Sequence, residues 1–183
     1  MQGTVDTTLE IGLTVNGEAV RRRVEARKSL VDFIREDLER TGSHVGCEQG
    51  VCGACTVRVD GALARGCLTL AVQCDGAVVE TIEGVAASGE IADLQAAFAA
   101  ANALQCGFCT PAMLLTAHEL LRANPAPSGA AIRVGLSGNY CRCTGYHAIV
   151  EAILATATKR AAGHTNERPP RSAPKARRGQ TAT

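Results

Sequence analysis

Two cysteine quartets of different spacing dominate this sequence, and each has to be gathered from separated segments for the chain to fold. The first, Cys47, Cys52, Cys55 and Cys67, reads C-x4-C-x2-C with a fourth cysteine further on. The second, Cys106, Cys109, Cys141 and Cys143, pairs a C-x2-C with a distant C-x-C. Of nine cysteines only Cys74 stands outside the two sets. Thiolates in fours suit a tetrahedral metal or an iron–sulfur cluster. With no other catalytic equipment evident, the pattern points to an electron carrier.

The chain has 183 residues, room for one medium domain or two small ones. Apolar residues make up 46%, but aromatics only 3%, and tryptophan is absent. A core built from Ala, Val, Leu and Ile gains from the cross-links that two bound clusters provide. No apolar run approaches a membrane span. The start, MQGTVDTTLE, lacks the basic and apolar regions of a signal peptide, so a cytoplasmic protein is expected. In that compartment grouped cysteines hold metal more often than disulfides.

Charge is unevenly spread. From Lys159 onward seven basic residues face Glu167 alone, which leaves twelve basic and seventeen acidic groups in residues 1–158. The segment 159–183 is polar and proline-bearing, and a disordered basic tail is expected there. The acidic remainder argues against nucleic-acid binding.

Residues 8–15 alternate Leu9, Ile11, Leu13 and Val15 with polar neighbours, as a half-buried strand does. Asn16-Gly17 signals a two-residue hairpin turn, with Val20, Arg22 and Val24 on the returning strand. Ser29 is placed to cap a helix with Leu30, Phe33, Ile34 and Leu38 on its apolar face, and Asp32 makes a capping-box pattern. Further strands are expected at Thr56–Val59, around 68–72 and at Val78–Ile82. These elements describe a small mixed α/β unit, a β-grasp, over 1–84. After Gly84 the chain turns alanine-rich and helical. One helix carries Ile91, Leu94, Phe98 and Ala101. A second runs over 111–123, and Ser128 caps a third ending near Gly138. A fourth spans about 145–159. The second quartet therefore belongs to a helical bundle over 85–158.

A 2Fe-2S cluster held by four thiolates is an anion, and its loop must offer backbone N–H groups to the sulfurs. Gly46, Gly50, Gly53 and Ala54 permit that approach. At the second site, Thr110-Pro111 and Thr144 look like caps of two helices whose N-termini would face one anionic cluster. Zinc is the competing occupant. A C-x2-C knuckle suits it, but the x4 spacing in a glycine-rich loop and the C-x-C half-site suit it poorly. Disulfides rank third.

The segments GCEQGVCGACTVRVDG, GCLTLAV, ETIEG, LQCGFCTPAM and SGNYCRCTGY resemble the small iron–sulfur subunit of molybdenum-containing hydroxylases, the xanthine dehydrogenase, aldehyde oxidase and carbon monoxide dehydrogenase family. The resemblance spans about residues 8–158, with both cysteine motifs in the family's order. It implies an α+β chain with an N-terminal β-grasp ferredoxin-like domain and a C-terminal four-helix-bundle domain, each holding a 2Fe-2S cluster. It also implies that Cys47, Cys52, Cys55 and Cys67 ligate the exposed cluster, facing an FAD-binding medium subunit or another acceptor. Cys106, Cys109, Cys141 and Cys143 would ligate the cluster nearer molybdenum. Gln105 and Cys143 would contact the molybdopterin cofactor, itself held by a large partner subunit, where the substrate site lies.

Two positions depart from the family pattern: Ala112 where glycine is usual, and Tyr140 where Leu or Ile precedes CRCTGY. Cys74 reads as a small buried apolar residue. His44, His118, His147 and His164 share no spacing that would make a site, and surface positions are expected for them. Arg142, between two of the cysteines, could raise a cluster potential or touch a partner. A standalone ferredoxin-type carrier and a zinc-stabilised interaction module are the alternative functions. The second quartet counts against the first of these, and an iron and sulfide assay separates the other.

Overall fold

The computed structural model describes residues 7–163; most of the expected basic tail, from residue 164, lies outside them. Strand β1 (Thr8–Val15) buries Ile11, Leu13 and Val15, as its alternation requires, while Leu9 stays exposed. Asn16 and Gly17 turn the chain with φ of 51° and 87°, both in the left-handed region that a two-residue hairpin needs. β2 (Glu18–Glu25) then pairs antiparallel with β1 from Val15–Glu18 to Thr8–Glu25.

The Ser29 hydroxyl accepts from the Asp32 N–H at 3.2 Å and so caps helix α1 (Leu30–Asp32). The expected α-helix is cut short there, because a π-helical turn occupies Phe33–Asp37. That turn continues the buried face of Leu30 and Val31 with Phe33 and Ile34. It also sets Arg35 where its guanidinium donates to the carbonyls of Thr41 and Ser43, at 2.8 and 2.7 Å, just ahead of the first cysteine loop.

β3 (Thr56–Val59) turns at Asp60-Gly61 into β4 (Ala62–Arg65). The expected strand around 68–72 is absent. Pairing begins at the turn itself and is spent by Arg65, after which the chain curls to present Cys67. Leu68 points outward, and a 3-10 turn (Ala71–Cys74) packs Ala71 and Cys74 into the core. β5 (Val78–Glu80) completes a sheet in the order β2-β1-β5-β3-β4, with β5 parallel to β1 and antiparallel to β3. Ile82, expected at the end of that strand, instead opens helix α2 (Ile82–Ala87).

Helices α3 (Ala92–Ala100), α4 (Thr110–Ala123), α5 (Gly129–Gly135) and α6 (His147–Ala162) follow. These four lie where helices are expected; among the described residues the short α2 precedes them, where the sequence suggests the end of a strand. Ser128 caps α5 by accepting from the Ala131 N–H at 3.1 Å. α6 runs past the expected end of order at residue 158, and Arg160 forms a two-pronged ion pair with Asp93 at 2.7 and 2.8 Å.

Two apolar cores result. One joins the sheet to α1 and the π turn through Ile11, Leu13, Leu30, Phe33, Ile34 and Val79, with Cys74 buried in it as expected. The other holds Ile91, Leu94, Phe98, Met113, Leu115, Ile132, Ile149 and Ile153 between helices. The parts meet along β3 and α4. There Arg58, 4% exposed, reaches Glu119 Oε1 of α4 at 2.7 Å, Glu80 Oε2 of β5 at 3.1 Å and Glu90 Oε2 at 3.8 Å. Burial alone would push the guanidinium pKa down, but the three carboxylates outweigh it and raise it. His118, expected at the surface, is buried beside this cluster, with Nε2 3.3 Å from Glu90.

Candidate metal centres

The first quartet occupies the loop between the π turn and β3, with Cys67 returning just after β4. Glu48 (φ 55°), Gly50 (φ 78°) and Gly53 (φ 76°) take left-handed conformations that coil the loop tightly. Its amides turn toward sulfur: the Cys52 N–H lies 3.4 Å from Cys47 Sγ. That amide, with those of Gln49 and Val51, draws the Cys47 thiol down to about 6 although burial opposes it. Cys55 is the opposite case, since burial pushes its thiol up to about 11. A Cβ on Gly46 would stand 3.2 Å from Cys52 Sγ, so the glycine there keeps space beside the sulfurs.

The second quartet gathers the α3–α4 loop and the α5–α6 loop. Cys143 Sγ lies 3.4 Å from Cys106 Sγ. Backbone N–H of Phe108, and then the Cys143 thiol, hold Cys106 low. Burial pushes Cys109 up to about 12. Burial also works against Cys141, yet its pKa falls, because the Thr144 hydroxyl 3.1 Å away and the Thr144 N–H at 3.5 Å favour the thiolate. The expected caps are displaced. Cys109 itself sits at the N-cap of α4, making Thr110 the first helical residue. Thr144 lies ahead of α6, whose N-cap is Tyr146 at φ 68°. Its hydroxyl is taken up by Cys141 and by the Tyr146 N–H instead.

Both sets therefore combine a thiol whose pKa is lowered by backbone or hydroxyl donors with one that burial raises. That donor chemistry fits an anionic metal–sulfur group whose metal deprotonates the buried ligand. Among the described residues no three His, Cys, Asp or Glu side chains converge on a single-ion position. None of the nine cysteines is paired in a disulfide.

The two loops touch. The Tyr140 N–H donates to the Cys52 carbonyl at 2.8 Å. The carboxamide of buried Asn139 donates to the Gly53 carbonyl at 3.2 Å and accepts from Thr116 Oγ1 at 3.0 Å. Arg65 donates to the Gly138 carbonyl at 2.6 Å and to Thr56 Oγ1. His44 spans the same gap: its ring stacks on Phe108 at 4.7 Å, and Nδ1 donates to the Phe108 carbonyl at 2.7 Å. No spacing rule marks residues that act across a long chain separation, so Arg65 and Asn139 carry no sign in the sequence and His44 reads there as a surface residue. Gln105, Arg142 and Cys143 lie at the surface, and Tyr140 is 55% exposed. Ala112 is buried in the first turn of α4.

Residues 13–78 match the family described as the 2Fe-2S iron-sulfur cluster binding domain, and residues 81–154 match the 2Fe-2S binding domain. Fold and matches together define a protein of two 2Fe-2S binding domains, of the kind that acts in electron transfer. The chain is 51% identical over 146 residues to the nicotine 6-hydroxylase small subunit of Paenarthrobacter nicotinovorans, covering 80% of this chain and 88% of the relative. It is also 51% identical over 146 residues to caffeine dehydrogenase subunit gamma of Pseudomonas sp. (strain CBB1), covering 78% and 87%. In the crystal structure of quinoline 2-oxidoreductase from Pseudomonas putida 86 it superposes with a TM-score of 0.78 at 45% identity, over 87% of this chain and all of that one. The protein belongs to the family of small 2Fe-2S iron–sulfur subunits of molybdenum-containing hydroxylases, the xanthine dehydrogenase and aldehyde oxidase group.

Proposed function

We propose that Cys47, Cys52, Cys55 and Cys67 hold one 2Fe-2S cluster, and Cys106, Cys109, Cys141 and Cys143 the other. The chain then serves as the electron-transfer subunit between a molybdopterin centre on a large partner and an FAD-binding medium subunit. When bound, each cluster supplies a one-electron redox centre. The chain's own part is to hold the two sets of thiolates in fixed relation. The observation that carries this reading is the Tyr140 N–H bond to the Cys52 carbonyl. It joins a residue of the first quartet to the residue next to Cys141, giving one peptide and one hydrogen bond between the two sets. Exposed Gln105 and Cys143 lie on the face through which the molybdopterin cofactor would be met, Gln105 by its side-chain amide. The substrate would be fixed by the large subunit.

The first unit, 1–84, is read as a β-grasp ferredoxin-like domain. The second, from residue 85 to the end of α6, is read as a four-helix bundle of α3 to α6 with α2 as its connector. Among the described residues no helix is long and apolar enough to cross a membrane, and a cytoplasmic complex is the setting proposed.

The test is metal analysis and spectroscopy of the complex purified with its partners. About four irons per chain, with visible charge-transfer bands and two distinct paramagnetic signals on reduction, are expected from two 2Fe-2S sites. Cys52→Ser should abolish or alter only one signal. Zinc in place of iron would refute the assignment, and a fully active protein without a large partner would favour a standalone carrier.

A further inference from the structure

We infer that Asn139 is a positioning residue for transfer between the two clusters: its carboxamide clamps the first cysteine loop to the strand of chain that carries Cys141. Asn139 is 2% exposed, and its polar atoms are engaged from two sides. Nδ2 donates to the Gly53 carbonyl at 3.2 Å and lies 3.5 Å from Thr56 Oγ1, both on the chain around Cys52 and Cys55. Oδ1 accepts from Thr116 Oγ1 at 3.0 Å, a side chain in the middle of α4. The amide is thereby oriented by the helix that starts at Cys109 and grips the loop of the first quartet. The residue before it is held as well, by Arg65 Nη2 on the Gly138 carbonyl at 2.6 Å.

Nothing larger than glycine fits at the grip. A Cβ on Gly53 would overlap the Gly138 carbonyl oxygen and stand 2.8 Å from Asn139 Nδ2. The two backbones are thus in contact, and the next residue, Tyr140, is delivered with its N–H on the Cys52 carbonyl at 2.8 Å. Without the carboxamide that last bond, beside an exposed side chain, keeps only the Arg65 bond to the Gly138 carbonyl as nearby support. A buried amide satisfied on both sides specifies one arrangement, since any shift leaves donor and acceptor unpaired. Asn139 touches neither a thiol nor the reacting centres, and it acts through the position of Tyr140 and Cys52.

The experiment uses the complex carrying Asn139→Leu, which keeps the branched shape and removes the amide. The proposal rests on the two-cluster reading, but amide exchange reports the clamp with or without iron, so the two can fail separately. Exchange of the Tyr140 N–H, followed by mass spectrometry, should quicken by about fivefold or more, as loss of a supporting buried hydrogen bond implies. Iron content should hold, and the magnetic splitting between the two reduced clusters should shrink. Ile153→Val, a truncation in the helical core, should lower the melting temperature without moving exchange or splitting. If Asn139→Leu does not fold, Thr116→Val, which only frees the carboxamide to turn, should quicken the same amide. Unchanged Tyr140 exchange in whichever variant folds would overturn the proposal. So would an equal change in Ile153→Val.

Discussion

The Tyr140 N–H and the Cys52 carbonyl meet at 2.8 Å, although 88 residues of chain separate them. The bond falls where the two cysteine loops face each other, and it makes the spacing of the two thiol sets a property of the backbone. Backbone donors cannot change rotamer, so this spacing is less adjustable than one set by side chains.

Gly53→Ala should be far more damaging than Gly61→Ala. Both glycines have positive φ, 76° and 83°, so each substitution incurs about 1–2 kcal/mol of backbone strain. At Gly61 the new methyl meets open space, whereas at Gly53 it overlaps the Gly138 carbonyl. Urea unfolding should show the modest cost for Gly61→Ala. Gly53→Ala should separate the cysteine loops and reduce iron content. Equal effects of the two would show that the loops are not in contact.

Arg58→Met should destabilise the protein by about 3–5 kcal/mol, the range for breaking a buried ion pair from one side. The guanidinium answers Glu119, Glu80 and Glu90 together, and removing it leaves carboxylates facing one another. Arg58→Lys should recover only part, because one ammonium cannot reach the fork of positions. Denaturant midpoints of the three proteins provide the check, and a loss below about 1 kcal/mol for Arg58→Met would class the site with surface pairs.

Acidification should weaken the fold through His118. Burial holds its pKa below the ordinary 6.5, and Arg58 adds to that, while Glu119 and Glu90 oppose. The folded state therefore keeps His118 neutral where the unfolded chain binds a proton. Its stabilising contribution is complete above 6.5 and is lost as pH falls toward the lower folded value. His118→Asn should flatten the dependence of unfolding free energy on pH just below 6.5. An unaltered slope would mean that His118 ionises freely in the folded protein.

Gln105→Ala should leave iron content and both reduced signals intact yet slow reduction of the clusters by substrate. The amide is exposed on this chain, as the proposed contact with the pterin requires. Loss of a buried hydrogen-bond partner costs about 1–3 kcal/mol, and molybdenum retention should fall with it. Comparing substrate reduction with dithionite reduction in the same variant isolates the effect. Identical rates with full molybdenum content would remove Gln105 from the interface.

What could be read in the sequence was whatever had a local cause. The Asn16-Gly17 hairpin, the Ser29 and Ser128 caps and the apolar face of α4 each follow from a few neighbouring residues. The misses share a different origin. Leu68 to Val72 has strand composition, but the sheet had used its pairing by Arg65 and Cys67 had to be delivered elsewhere. Thr144 has capping chemistry, but Cys141 and Tyr146 claim its hydroxyl first. His118 looked like a surface group because it is tolerable inside only through partners from other elements. The cysteine spacing announced the two sites, while the contacts between them, Asn139 with Gly53 and His44 with Phe108, had no trace in spacing.

Arg58 also bears on how a chain like this can be divided. Of its three carboxylates, only Glu80 belongs to the sheet; Glu90 and Glu119 come from the helical part. A version cut off after β5 would expose a strand bearing a cation shaped for a neighbour that is gone. The strand would need a new polar face before it could live alone. The sheet therefore offers the helices one half of a joint, and substitutions at Arg58 and at Glu119 are expected to be coupled in their effect on stability.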